Sequence, residues 1–181
     1  IVLCGMGGSA IGGDLSKSLV KSSLNVPMFV NRNYSLPNWV NSNSLVIASS
    51  FSGNTEESLA AYHEAISKGA MVIGITTGGK LASLLDDHNN DKVLIPAGLQ
   101  PRAAVAFSFI PLLYLLEKLK ATNDKVLSEL DVTIEKIQSI KDVYALDDEK
   151  NPTYKLAKDI YKSIPVIYGE NESTATIALR W

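Results

Sequence analysis

One cysteine and two histidines are all that this chain of 181 residues holds of those types. Cys4 alone cannot close an intrachain disulfide, which excludes a stapled secreted scaffold; a small buried hydrophobe in a strand is its expected role. With only His63 and His88 beside it, no Cys/His cluster exists that could hold zinc. The polar run Asp86-Asp87-His88-Asn89-Asn90-Asp91 has neither the ligand spacing nor the glycine of a calcium loop and reads as a solvated turn. His63 falls two turns into a helical pattern and reads as solvated too. No cofactor and no metal are expected.

Long apolar runs are also missing. The longest candidate, Ala103 to Leu116, is interrupted by Ser108 and Pro111. It is shorter than the ~20 residues a membrane helix needs and reads as a buried core helix. Nor is there an excess of one charge: 17 Lys and Arg face 19 Asp and Glu. That balance lacks the electrostatic footprint of a protein that grips a phosphate backbone. Nucleic acid and membrane are therefore not expected partners. The first residues, Ile1 to Cys4, have no basic flank and no cleavage site and do not read as a signal peptide. They begin without Met inside a strand-like run, so a chain continuing beyond both ends is expected.

What is present is a βα alternation. Ile1–Cys4, Val26–Val30, Leu45–Ala48, Met71–Ile75 and Val93–Ile95 are continuous apolar runs, as in strands covered on both faces. Between them lie helical patterns at Ile11–Ser22, Thr55–Lys68, Leu81–Asp87 and Arg102–Lys120, punctuated by Gly69, Gly78-Gly79 and Pro96. The order predicts a doubly wound, five-stranded parallel sheet in an α/β/α sandwich. From Asn123 to about Tyr144, Val126, Leu127, Leu130, Ile134, Ile137 and Ile140 step at helical spacing and predict a long amphipathic helix. Asn151-Pro152 breaks it, a shorter helix follows to about Lys162, and Ile164–Gly169 repeats the layout of the first strand. The expected division is a first domain over 1–121, a helical linker over 122–163 and, over 164–181, the first βα unit of a second similar domain.

Two loops carry the chemistry. Gly5-Met6-Gly7-Gly8-Ser9-Ala10 joins the first strand to its helix, with glycines that let backbone approach an anion and a helix N-terminus to face it. The spacing also satisfies a dinucleotide-binding variant, but the position for a ribose-binding acid holds Asn31-Arg32-Asn33. Arg32 could receive a 2′-phosphate, which leaves an NADP-dependent oxidoreductase as a third reading. The second loop, Ser50-Phe51-Ser52-Gly53-Asn54-Thr55-Glu56-Glu57, follows the third strand. Asn54 with Glu57 reads as a capping box, which leaves Ser50, Ser52 and Gly53 for an anion. Glu56 and Glu57 complement the helix dipole in its first turn.

Gly7-Gly8-Ser9 with Ser50-Phe51-Ser52-Gly53-Asn54-Thr55-Glu56 resembles the sugar isomerase (SIS) domain signature. Gln100-Pro101-Arg102-Ala103-Ala104 narrows the resemblance to the bifunctional phosphoglucose/phosphomannose isomerase family. Ile177-Ala178-Leu179-Arg180-Trp181 resembles the segment that opens the second SIS domain there. The resemblance implies that Gly8, Ser9, Ser50, Ser52 and Thr55 bind a sugar 6-phosphate, the last three at the phosphate. It also implies that Arg102 stabilises the oxyanion of a cis-enediolate as glucose or mannose 6-phosphate is exchanged with fructose 6-phosphate. The family's base, a glutamate, and its histidine and lysine fall beyond Trp181. The resemblance further implies a homodimer, and the missing signal peptide with the metabolite class leads to an expected cytoplasmic location. A regulatory SIS module that binds sugar phosphate without turnover is the alternative reading.

Overall fold

The computed structural model describes residues 1–100, 103–122, 126–170 and 173–180. Five strands, β1 (Val2–Cys4), β2 (Phe29–Asn31), β3 (Leu45–Ser50), β4 (Met71–Thr76) and β5 (Asp91–Leu94), form one sheet in the order β2-β1-β3-β4-β5. Every pairing is parallel, with Val2 opposite both Phe29 and Val46, and Leu45 opposite Met71. The expected doubly wound sheet is thus present, built from the expected runs.

Alternation along each strand divides the core into two layers, because successive side chains leave a strand on opposite faces. Val2, Cys4, Val46, Ala48 and Val72 pack with Ala61, Tyr62 and Ala65 of α2 (Glu56–Ser67) and Leu81 and Leu85 of α3 (Gly79–Asp87). Leu3, Ile47 and Ile75 pack on the other face with Val20 of α1 (Gly7–Val20) and Leu112, Leu113 and Leu116 of α4 (Val105–Lys118). Helices α1 and α4 run so close that a Cβ on Gly12 would lie 2.7 Å from the Ser108 Cβ. Only hydrogen at that position admits the contact.

The α4 segment is a core helix as expected, and Pro111 lies inside it. Among the described residues no helix is long and apolar enough to cross a membrane. The long helix after Lys120 begins as a 3₁₀ turn, Val126–Glu129, and becomes α5 (Leu130–Tyr144); Asn123 lies outside the described residues. Val126, Leu127 and Leu130 pack on the α1/α4 layer, whereas Val132 and Ile137 further along remain exposed. Asn151 caps α6 (Pro152–Asp159), its side chain accepting the Thr153 N–H at 2.9 Å. The strand expected over Ile164–Gly169 does not form: the segment joins no sheet, and Ile164 and Tyr168 are exposed. A strand exists only by pairing, and this segment pairs with neither edge strand of the sheet, β2 or β5. Beyond it, α7 (Ser173–Arg180) packs against α1.

Candidate functional site

The order 2-1-3-4-5 reverses direction between β1 and β3, and such a switch point opens a crevice at the carboxyl ends of the strands. Both expected loops leave the sheet there. Between them lies a cavity of about 270 Å³ lined by Met6, Gly7, Gly8 and Ser9, by Phe51, Ser52 and Thr55, and by Ala104 and Ser108.

Helices α1, α2 and α4 all begin at this cavity. Their N-cap residues, Met6, Thr55 and Ala104, make no side-chain capping bond. The first turns of a helix expose N–H groups without intrahelical partners, and the dipole adds partial positive charge. Three such ends converging on one space favour an anion without a cationic side chain. None of the described lining residues is charged. Glu56 and Glu57 stand in the first turn of α2, outside the lining. The Tyr34 hydroxyl reaches Glu56 at 3.4 Å.

The second loop is held from below. Ser50 is almost fully buried, its Oγ 2.8 Å from the Thr55 Oγ1, and it accepts the Thr55 N–H at 3.4 Å. Ser52 Oγ accepts the Asn54 N–H at 3.2 Å. The expected Asn54 capping box is absent. Helix α2 starts one residue later, behind Thr55. The Asn54 amide instead serves α3: its Oδ1 accepts the Lys80 N–H at 3.1 Å, and its Nδ2 donates to the Ser52 carbonyl at 3.1 Å. Helix α3, whose own N-cap is a glycine, Gly78, thus takes a side-chain acceptor from the neighbouring loop.

Of the expected ligand residues, Gly8, Ser9, Ser52 and Thr55 line the cavity, and Ser50 lies behind Thr55. Arg102 lies outside the described residues; Ala104, two positions on, reaches the lining. Ser108 also lines the cavity, one helical turn after Ala104, a spacing that puts both on one face of α4. In sequence it reads only as a polar break in an apolar run.

The remaining polar candidates lie elsewhere. Asn31 is buried and donates to the carbonyls of Asn33 and Ser35, each at 3.1 Å. Arg32 pairs with Asp14. His63 is exposed on α2. His88 is exposed as expected but is tied down, its Nδ1 2.9 Å from both the Tyr62 hydroxyl and the Leu84 carbonyl. Among the described residues no group of three or more His, Cys, Asp or Glu side chains could hold a metal ion.

Residues 1–127 match the SIS domain family. Over its full length the chain is 45% identical to a bifunctional phosphoglucose/phosphomannose isomerase of Caldicellulosiruptor bescii, covering 54% of that protein. It is 36% identical to a protein of the same name from Thermoplasma acidophilum, covering 53% of it. The chain thus spans about half the length of the curated relatives it matches. In fold it is similar to tagatose-6-phosphate ketose/aldose isomerase from Escherichia coli, with a TM-score of 0.70 at 19% identity over 99% of this chain and 50% of that one. With most of its length matched, from the first strand through the last helix of the sandwich, this chain belongs to the SIS domain family.

Proposed function

We propose that this chain carries the sugar-phosphate site of an aldose–ketose isomerase that interconverts glucose 6-phosphate or mannose 6-phosphate with fructose 6-phosphate. The observation that carries this reading is the cavity, where serine and threonine hydroxyls and three uncapped helix starts surround a space with no charged side chain among its described lining residues. The names of the full-length matches support the reaction class.

The phosphoryl group sits against Ser52, Thr55 and the start of α2, with Ser50 fixing the Thr55 hydroxyl. Gly8 and Ser9 bound the sugar from the β1 side. After ring opening, a base removes the C2 proton of the aldose and returns a proton to C1, while the carbonyl oxygen passes through an enediolate. In the reverse direction the proton is taken from C1 of the ketose. Arg102 stabilises the enediolate oxygen, a task suited to a fixed cation in a water-poor site. None of the described lining residues is such a base, and the curated relatives, about twice this chain's length, leave room for it in a second domain. A cytoplasmic homodimer fits this metabolite class and the exposed apolar residues of α5.

The test is conversion of fructose 6-phosphate into both aldose phosphates by the full-length protein. Turnover, with kcat falling about 10²-fold or more in Arg102→Lys while KM holds, is the expected result. Binding of fructose 6-phosphate without turnover would replace this reading with the regulatory one.

A further inference from the structure

Ser108 stands in the wall of the cavity that Ser52 and Thr55 also line. It is 4% exposed, on a helix whose neighbouring positions are nearly all apolar. A serine buried within a helix ordinarily satisfies its hydroxyl on the carbonyl four residues back. Ser16 on α1 does this, donating to the Gly12 carbonyl at 2.8 Å. Ser108 makes no such bond, and its hydroxyl has no partner among the described residues. Among them, no fully enclosed side-chain oxygen or nitrogen is left unpaired, so the Ser108 hydroxyl has its opening into the cavity it lines. Packing explains only half of the residue. The close approach of Gly12 to the Ser108 Cβ and backbone would be kept equally well by alanine at that position. The unpaired hydroxyl, open to the cavity, is the part that packing does not explain.

We infer that the Ser108 hydroxyl binds a hydroxyl group of the sugar chain, acting as a substrate-contacting residue on the α4 wall. This rests on the sugar-phosphate reading of the cavity. The phosphoryl hydroxyls belong to the β3–α2 loop, whereas Ser108 lies across the α1–α4 seam, so a ligand anchored at Ser52 and Thr55 meets Ser108 with its polyol body. Serine suits that partner, since it can donate to and accept from a sugar hydroxyl at once.

Calorimetric titration of the full-length protein with fructose 6-phosphate and with inorganic phosphate separates the possibilities. Ser108→Ala should weaken fructose 6-phosphate binding about 5- to 20-fold, leave phosphate binding unchanged and leave the urea midpoint equal or higher. Ser108→Cys, slightly larger and only a weak donor, should fall between. Ser52→Ala should weaken both ligands. If Ser108→Ala binds fructose 6-phosphate like the parent while Ser52→Ala does not, Ser108 is a packing residue and only this inference fails. Equal weakening of both ligands by Ser108→Ala would also overturn it, by moving Ser108 to the phosphate. If neither variant weakens either ligand, the sugar-phosphate reading falls and this inference falls with it.

Discussion

Gly53 stands at φ +69° against the carbonyl oxygen of Gly78, and a Cβ on it would come within 1.8 Å of that oxygen. Both the left-handed backbone and the close approach demand glycine. Gly53→Ala should therefore destabilise the fold by at least ~2 kcal/mol and weaken phosphate binding. Gly7→Ala, also at positive φ but with nothing within 4 Å of its Cβ, should cost only ~1 kcal/mol. Urea denaturation of the two variants side by side reads the difference.

Asn54 fastens the β3–α2 loop to the start of α3. Its Oδ1 accepts the Lys80 N–H while the Gly53 carbonyl accepts the Leu81 N–H at 2.9 Å. Asn54→Ala should cost ~1 kcal/mol, the usual loss when a helix-start acceptor is removed. Asn54→Asp should recover most of it, because the acceptor for Lys80 remains. Equal losses in the two variants would mean that the Nδ2 bond to Ser52, and not the cap, holds the loop.

That role could not be read from residue order. Asn54 and Glu57 have capping-box spacing, and only the tertiary fold shows the amide turned 26 residues onward to Lys80. The sheet was legible for the opposite reason: Leu45–Ser50 and Met71–Thr76 are buried from both sides, so their apolar runs are continuous and bounded by turns. That Ser9, Ser52 and Thr55 share one cavity was expected for Ser52 from its loop, and for Ser9 and Thr55 only from the resemblance to the SIS signature. Ser108 was not legible, since a lone hydroxyl in an apolar helix takes meaning only from the helix that faces it. Ile164–Gly169 has strand composition, but composition cannot supply a neighbouring strand.

Burial of Cys4 in β1 pushes its thiol up to about 12, with the Asn31 amide acting in the other direction. Only the thiolate attacks disulfide reagents. At pH 8 the folded protein should therefore be inert to a chromogenic disulfide, and the reaction should rise with urea in parallel with unfolding. Rapid labelling without denaturant would contradict the burial.

Glu64 is held below its ordinary value of 4.5 by the Leu36 N–H, donated at 2.8 Å, and by Lys68 at 3.0 Å; its partial burial acts the other way. A carboxyl whose folded pKa is depressed adds stability above its unfolded pKa and loses it as pH falls through the folded one. Glu64→Gln should therefore melt below the parent at neutral pH, and the two melting curves should draw together as the pH falls from 4.5 through the lower folded pKa. A gap independent of pH would assign the effect to packing.

The central claim is that the cavity between Gly8-Ser9 and the Ser50–Thr55 loop receives the phosphoryl end of a sugar phosphate. A crystal structure of the full-length protein with fructose 6-phosphate tests it most directly. The phosphoryl oxygens should lie within hydrogen-bond distance of the Ser52 and Thr55 hydroxyls and of N–H groups at the start of α2. Finding them at Arg32 on the far side of β1, or anywhere outside this cavity, would contradict the account.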